Sequence, residues 1–150
     1  MRHKTLVLSV HLYNSESWTL NESDEARLHV FKMSATRRIC SISLRDRGRN
    51  EEVKAWLGIE CDVVEVIRKR RLSYFGHTVR IKPERIPVRV IQGRIHGSRL
   101  RGRLRKTWIG AVEEDCERRN VSLIQARSTA LDHNEWRRVV FGPPKHSLES

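Results

Sequence analysis

Positive charge is concentrated in one stretch of this sequence, residues 67–106. The stretch holds fourteen lysines and arginines against one acidic residue, Glu84. The flanking segments are balanced, with ten basic and ten acidic residues in 1–66 and six basic and seven acidic residues in 107–150. Cationic groups at this density bind phosphates and steer a polyanion from a distance. The sequence therefore predicts a nucleic acid partner, contacted mainly through its phosphate backbone.

The predicted phosphate contacts form two groups. The first lies on a predicted helix, where successive side chains point about 100° apart and cannot all face one strand. Arg71 falls on the apolar stripe of that helix, so it would either snorkel to the surface or pair with a carboxylate. The second group lies in a glycine-containing loop, whose backbone freedom lets guanidinium groups adapt to a phosphate ribbon. The predicted nucleic-acid-binding residues are Arg68, Lys69, Arg70, Arg71, Arg94, Arg99, Arg101, Arg103, Arg105 and Lys106.

Other interpretations of these basic residues stay open at this point. The helix group could be a solvated face or a nuclear import signal. The loop group could be a disordered basic segment. Arg101-Gly102-Arg103 also resembles the core of an AT-hook, although the proline that follows in such hooks is absent here.

The remaining chemically active residues predict no metal site and no cofactor. The spacing of Cys61, His77 and Cys116 matches no zinc knuckle or finger, so His77 is predicted to be a packed or hydrogen-bonded structural residue. Three widely spaced cysteines favour a reducing compartment, nuclear or cytoplasmic. No apolar run approaches the length of a membrane helix, so no membrane partner is expected.

Apolar residues recur mostly every three or four positions, the spacing of helices with one buried face. Acidic first turns, N-cap residues, and Gly or Pro at the ends set the boundaries. The predicted helices cover residues 23–41, 51–57, 62–80 and 105–119, with a further helix opened by the capping-box pair Asp132 and Glu135.

These elements predict an all-α fold, a small irregular helical domain of residues 1–141 followed by a disordered tail, 142–150. Prolines and glycines predict a basic Gly/Arg-rich loop at about 82–104, with a short helix or an irregular hairpin around 88–95. Trp56, Trp108 and Trp136 fall on apolar stripes and are predicted core residues, whereas Trp18 stays open as a base-stacking candidate. The apolar stripe of the 62–80 helix is predicted to contain Val64, Ile67, Arg71, Phe75 and Thr78.

An ordered series of short motifs resembles the region behind the polymerase core in reverse transcriptases of non-LTR (LINE-type) retrotransposons. The likeness runs from about residue 5 to residue 140 in the order of that family, and the order and spacing carry it, since no single motif is specific. The motifs are Tyr13-Asn14-Ser15-Glu16-Ser17-Trp18, Arg37-Arg38-Ile39, Arg45-Asp46-Arg47, Asn50-Glu51-Glu52-Val53, Arg70-Arg71-Leu72, Phe75-Gly76-His77, Arg80, Gly97 to Trp108, Asp115 and Trp136-Arg137-Arg138.

The resemblance implies the C-terminal, thumb-side part of such a polymerase, which holds template or primer as RNA, DNA or a hybrid. Polymerases of this kind bind two Mg²⁺ ions through adjacent aspartates and a third carboxylate. This chain contains no Asp-Asp pair. Alone it is therefore expected not to be an enzyme, and an upstream polymerase core, in cis or in trans, is an expected partner.

Two further hypotheses belong to other classes. Asn14 stands where the family usually has glycine, and Leu104 stands where it has proline. These departures motivate the hypothesis of a relic open reading frame with no selected activity. A basic helical module that binds an acidic protein is the other alternative.

Overall fold

The computed structural model of the chain describes residues 10, 12–46, 48–56, 62–92 and 106–142. Within these residues the regular structure is helical and contains no strand, which confirms the predicted all-α fold. Single 3-10 turns lie at Ser15–Ser17 and Leu44–Asp46. The α-helices are α1 (Glu22–Ile39), α2 (Asn50–Trp56), α3 (Val63–Arg80), α4 (Ile86–Gln92), α5 (Trp108–Glu117), α6 (Leu123–Thr129) and α7 (His133–Phe141).

The predicted helix boundaries hold to within about three residues. Helix α1 begins after Asn21, whose side chain accepts from the Asp24 backbone N–H while the Asp24 carboxylate accepts from the Asn21 N–H. This capping box satisfies two backbone donors that the helix itself cannot pair. At α7, Asp132 caps the helix as predicted, accepting from the N–H groups of Asn134 and Glu135, and these bonds lower the pKa of its carboxyl.

Two helices differ from the sequence predictions. Of the short helix or hairpin expected inside the basic loop, the structure has the helix, α4, which starts at Ile86 and contains Pro87 in its first turn. Proline is tolerated there because first-turn N–H groups have no partner within the helix. Helix α6 was not predicted as a separate element; Ser122 and Gln125 form the capping box that opens it. Residues 93–105, the rest of the predicted loop, and the predicted tail from 143 lie outside the described residues.

The chain divides into two compact units. The single domain expected for residues 1–141 stays a prediction. The first unit comprises the chain up to Ser15 together with Leu20–Ile67, and contains α1 and α2. In it, the Arg37 guanidinium on α1 donates to the Gly48 carbonyl (2.6 Å) and to Asn50 Oδ1 (2.9 Å), which fastens α1 to the start of α2.

The second unit comprises Glu16–Thr19 and the chain from Arg68 onward. Its core is built by one face of α3 together with α5, α6 and α7. The three C-terminal helices are joined by short loops, and α5 packs against α6 and α6 against α7. The buried core residues are Leu72, Phe75, Val112, Cys116, Ala126, Ala130, Trp136 and Val140.

The predicted stripe of α3 is confirmed, since all five of its members are buried. Within the second unit, Trp136 of α7 lies directly on this helix. Its indole N–H donates to the Leu72 carbonyl (2.9 Å), and its ring centroid is 5.8 Å from that of Phe75. The approach is close enough that a Cβ on Gly76 would overlap two atoms of the indole. Gly76 is therefore required by packing: any side chain here would displace the indole.

None of the helices in the described residues combines the length and the apolarity that crossing a bilayer requires.

Gly76→Ala tests the contact between α7 and α3. We expect it to reduce the free energy of unfolding by about 3 kcal/mol, because the new methyl overlaps the indole and forces a shift of a packed element. Urea unfolding followed by far-UV circular dichroism measures the change. The matched control is Gly110→Ala on α5, where the new Cβ meets only the Thr107 hydroxyl, at 3.2 Å. If Gly76→Ala instead stabilises the protein by about 1 kcal/mol, as the same change does in an open helix, the packing described here is wrong.

Candidate nucleic-acid interface

Arg71 belongs to the core of the second unit and is not at the surface. Its side chain is 4% exposed, and its Nε donates to Asp115 Oδ2 at 2.7 Å. The Arg71 Nη2 atom lies 2.7 Å from the same oxygen, and Nη1 donates to the Trp18 carbonyl at 2.8 Å. Of the two alternatives given for Arg71, pairing with a carboxylate is therefore the one that holds. Because its donors are used inside the protein, Arg71 is removed from the set of predicted phosphate contacts.

Asp115 is the acidic centre of this arrangement, with 2% of its side chain exposed. Arg68, one turn before Arg71 on α3, places its Nε 3.7 Å from the other carboxylate oxygen and is 14% exposed. Burial raises the pKa of the Asp115 carboxyl, and the positive charges of Arg71 and Arg68 oppose that shift. Two arginines of the basic stretch thus face a buried carboxylate, which makes Arg68 a weaker candidate for a phosphate contact than its neighbours.

Lys69 and Arg70 lie on the outer side of α3. Lys69 is half-buried and Arg70 is exposed. They lie between Arg68 and Arg71 in sequence, and the rotation of about 100° per residue turns them away from the side that faces Asp115.

Two further basic residues of the stretch, Arg80 and Lys106, make polar contacts within the second unit. Arg80, at the end of α3, donates to the Ala130 carbonyl at 2.7 Å. Lys106, a predicted phosphate contact, pairs with Glu114 of α5 at 2.5 Å and is one-third exposed. An ion pair this exposed contributes little and is easily exchanged, so a phosphate could compete with Glu114 for Lys106.

Three exposed basic residues at and before α4 were not among the predicted phosphate contacts. Lys82, Arg85 and Arg89 are all exposed. Arg85 and Arg89 are one turn apart, since the Arg89 N–H donates to the Arg85 carbonyl. Pro87 was the sequence signal that could have indicated this helix. A proline inside a helix interrupts it, but a proline in the first turn is compatible with it.

The five predicted loop arginines, Arg94, Arg99, Arg101, Arg103 and Arg105, lie outside the described residues. The assignment of this group as a phosphate contact stays a prediction.

Trp108 and Trp136 pack within the protein itself. Trp136 is a core residue as predicted, 2% exposed. Trp108 packs at the edge of the same core, where its indole N–H donates to the Glu16 carbonyl (2.8 Å) and its ring meets Tyr74 edge to face at 5.9 Å. Trp18 is half-buried and supplies the carbonyl that accepts from Arg71. The side chain of Trp56 is not among those described.

The histidine and cysteine considered as metal ligands, His77 and Cys116, differ in their exposure. His77, expected to be a packed or hydrogen-bonded structural residue, is exposed, with its ring 6.4 Å from that of Tyr74. Cys116 is buried in the core, and burial raises the pKa of its thiol to about 11. The thiol is therefore protonated and unreactive at neutral pH. In the part of the chain that the structure describes, no group of three or more His, Cys, Asp or Glu residues could hold a metal ion.

Comparison with known proteins adds one relative. The chain is 28% identical over 143 residues to a protein of Caenorhabditis elegans named as an uncharacterized transposon-derived protein. This likeness supports a transposon origin. The alignment covers 91% of this chain and 51% of the other, so the chain spans about half the length of that relative. No family model and no solved structure matches the chain.

Asp115→Leu tests whether the buried carboxylate holds the second unit together. Removing it leaves the Arg71 guanidinium buried without its counter-ion, and we expect a loss of about 3–5 kcal/mol in the free energy of unfolding. The double variant R71M/D115L removes both charges and should recover most of that loss, because apolar groups of similar size can replace a buried ion pair.

The control for this series is Glu113→Leu, which removes the same charge from an exposed position on the same helix. A surface change of this kind is expected to alter stability by less than about 0.5 kcal/mol. Urea unfolding distinguishes the variants. Equal stability of Asp115→Leu and Glu113→Leu would contradict the role given to Asp115.

Proposed function

We propose that this chain is the C-terminal, post-polymerase-core part of a non-LTR retrotransposon reverse transcriptase, and that it binds RNA or DNA through the phosphate backbone without base specificity. The transposon origin supported by the relative is the coarser form of this proposal. The finer form rests on the motif series, which no comparison tests, and on the surface described next.

The observation that carries the binding proposal is how the basic stretch is divided between core and surface. Arg71 and Arg68 face Asp115, whereas the other basic residues named below are at least partly open to solvent. The stretch contains one acidic residue, Glu84, against fourteen basic ones, whereas basic and acidic residues nearly balance in the flanks. A cationic surface of this kind suits a polyanion. The described residues proposed to contact phosphate are Lys69, Arg70, Lys82, Arg85, Arg89 and Lys106.

Binding is proposed to be independent of base sequence. Lysine and arginine contacts to phosphate fix the position of a nucleic acid but carry no sequence information. The tryptophans that could read or stack on bases are used in packing at Trp108 and Trp136. The proposed partner is therefore RNA, DNA or a hybrid of the two.

We further propose that the chain has no polymerase activity of its own and acts beside a polymerase core, in cis or in trans. The absence of an Asp-Asp pair from the sequence supports this, because two-metal phosphoryl transfer needs clustered carboxylates. The proposed role is to hold template or primer.

The salt dependence of binding tests the proposal. If about six phosphates are neutralised, the slope of log K against log salt should be about −5 on duplex and about −4 on a single strand. Fluorescence anisotropy with labelled duplex and single-strand probes over a range of KCl concentrations measures both slopes. A slope shallower than about −2 would exclude a multi-phosphate site.

Neutralising α4 tests which residues are responsible. In R85Q/R89Q the slope on duplex should become shallower by about 2, since each lost phosphate contact removes about 0.9. The matched control is R127Q/R137Q, which removes two exposed arginines of the same unit from outside the basic stretch. Equal effects of the two double variants would mean that binding depends on overall charge and not on this surface.

A further inference from the structure

Helix α4 presents two side-chain stripes to solvent, one cationic and one aliphatic. Arg85 and Arg89 lie one turn apart, and Ile86 and Val90 lie one turn apart beside them. Ile86 is 74% exposed and Val90 is 72% exposed. A third position of the helix, Val88, is buried with 6% exposure, so α4 has one buried side and one solvent-facing side.

The two stripes run in parallel because they share the same spacing. Side chains four residues apart on a helix are neighbours, with about 5–6 Å between their Cβ atoms. Consecutive residues are turned by about 100°, so the aliphatic stripe lies about 100° around the helix from the cationic one. Ile86 and Arg89, three residues apart, are the neighbours that connect the two stripes. A partner whose charged groups contact the two arginines would therefore also place neighbouring groups against Ile86 and Val90.

Charge complementarity selects the class of partner. The stretch that contains α4 is strongly basic, so the partner carries negative charge along its length. In a duplex the base faces are stacked inside and the outer surface is phosphate and sugar. In a single strand the bases are unstacked and their apolar faces can pack on side chains. Exposed aliphatic groups beside phosphate-binding arginines therefore favour a single strand over a duplex.

We propose that α4 binds single-stranded nucleic acid, with Arg85 and Arg89 contacting phosphates and with Ile86 and Val90 packing against unstacked bases. This inference rests on the proposed function and narrows it, because it assigns strand selectivity to two aliphatic residues. The aliphatic contacts are independent of salt, whereas the arginine contacts set the salt slope.

The test is the double variant I86S/V90S, assayed by fluorescence anisotropy with a labelled single strand and a labelled duplex of the same length. Both positions are exposed, so the fold should be retained, as far-UV circular dichroism would verify. The dissociation constant for the single strand should rise roughly tenfold, equivalent to about 1.4 kcal/mol from the lost aliphatic burial. The constant for the duplex should change by less than about twofold, and both salt slopes should stay as in the wild type.

The matched control is I124S/L131S, which changes two apolar residues of the same unit that are 83% and 65% exposed and lie outside the basic stretch. It should alter neither constant. Equal weakening of single-strand and duplex binding by I86S/V90S, or no weakening, would overturn the inference while leaving the proposed function standing. Loss of self-association in I86S/V90S, seen by analytical ultracentrifugation, would overturn it in favour of an interface between copies of this chain. Failure of the wild type to bind either probe would remove the proposed function itself.

Discussion

The buried ion pair between Arg71 and Asp115 is the constraint on which the second unit depends. A guanidinium and a carboxylate removed from water are each costly, so the pair is tolerated only with close geometry and with the remaining donors satisfied. Both conditions hold here: the two contacts to Asp115 Oδ2 are 2.7 Å long, and the third nitrogen reaches the Trp18 carbonyl. One interaction thus joins α3, α5 and the Glu16–Thr19 segment. The same interaction keeps Arg71, one of the four consecutive basic residues 68–71, away from solvent.

The motifs that carry the resemblance are, in this unit, largely residues that hold the fold together. Gly76 leaves room for the Trp136 indole, and Trp108 reaches back to the Glu16 carbonyl. Such contacts join segments that are far apart in sequence, so these motif residues have a role in the packing of this unit. The binding proposal rests instead on the exposed basic residues. The residues from the motifs that make these contacts are Glu16, Trp18, Arg71, Gly76, Arg80, Trp108, Asp115 and Trp136.

Helices α1, α2, α3, α5 and α7 and the buried stripe of α3 could be predicted because they depend on local spacing of apolar and capping residues, whereas α6 was not predicted as a separate helix. The partner of Arg71 could not, since Asp115 lies 44 residues away and only tertiary packing brings the two together. Helix α4 was placed only as one of two alternatives, because Pro87 indicates an interruption unless its place in the first turn is known. The arginines at and near this helix were therefore missed as candidates, although their exposure makes them better placed than Arg71 for a phosphate contact.

The basic stretch contains an internal ion pair, Arg71 with Asp115, and exposed basic residues that are proposed to bind nucleic acid. The salt dependence of nucleic acid binding by R71M/D115L tests this claim most directly, because this change removes one positive and one negative charge and leaves the net charge at +12. If Arg71 serves only the core, the slope of log K against log salt equals that of the wild type, in a protein that still unfolds cooperatively. A slope shallower by about 1 in the folded double variant would mean that Arg71 contacts phosphate and would contradict the claim.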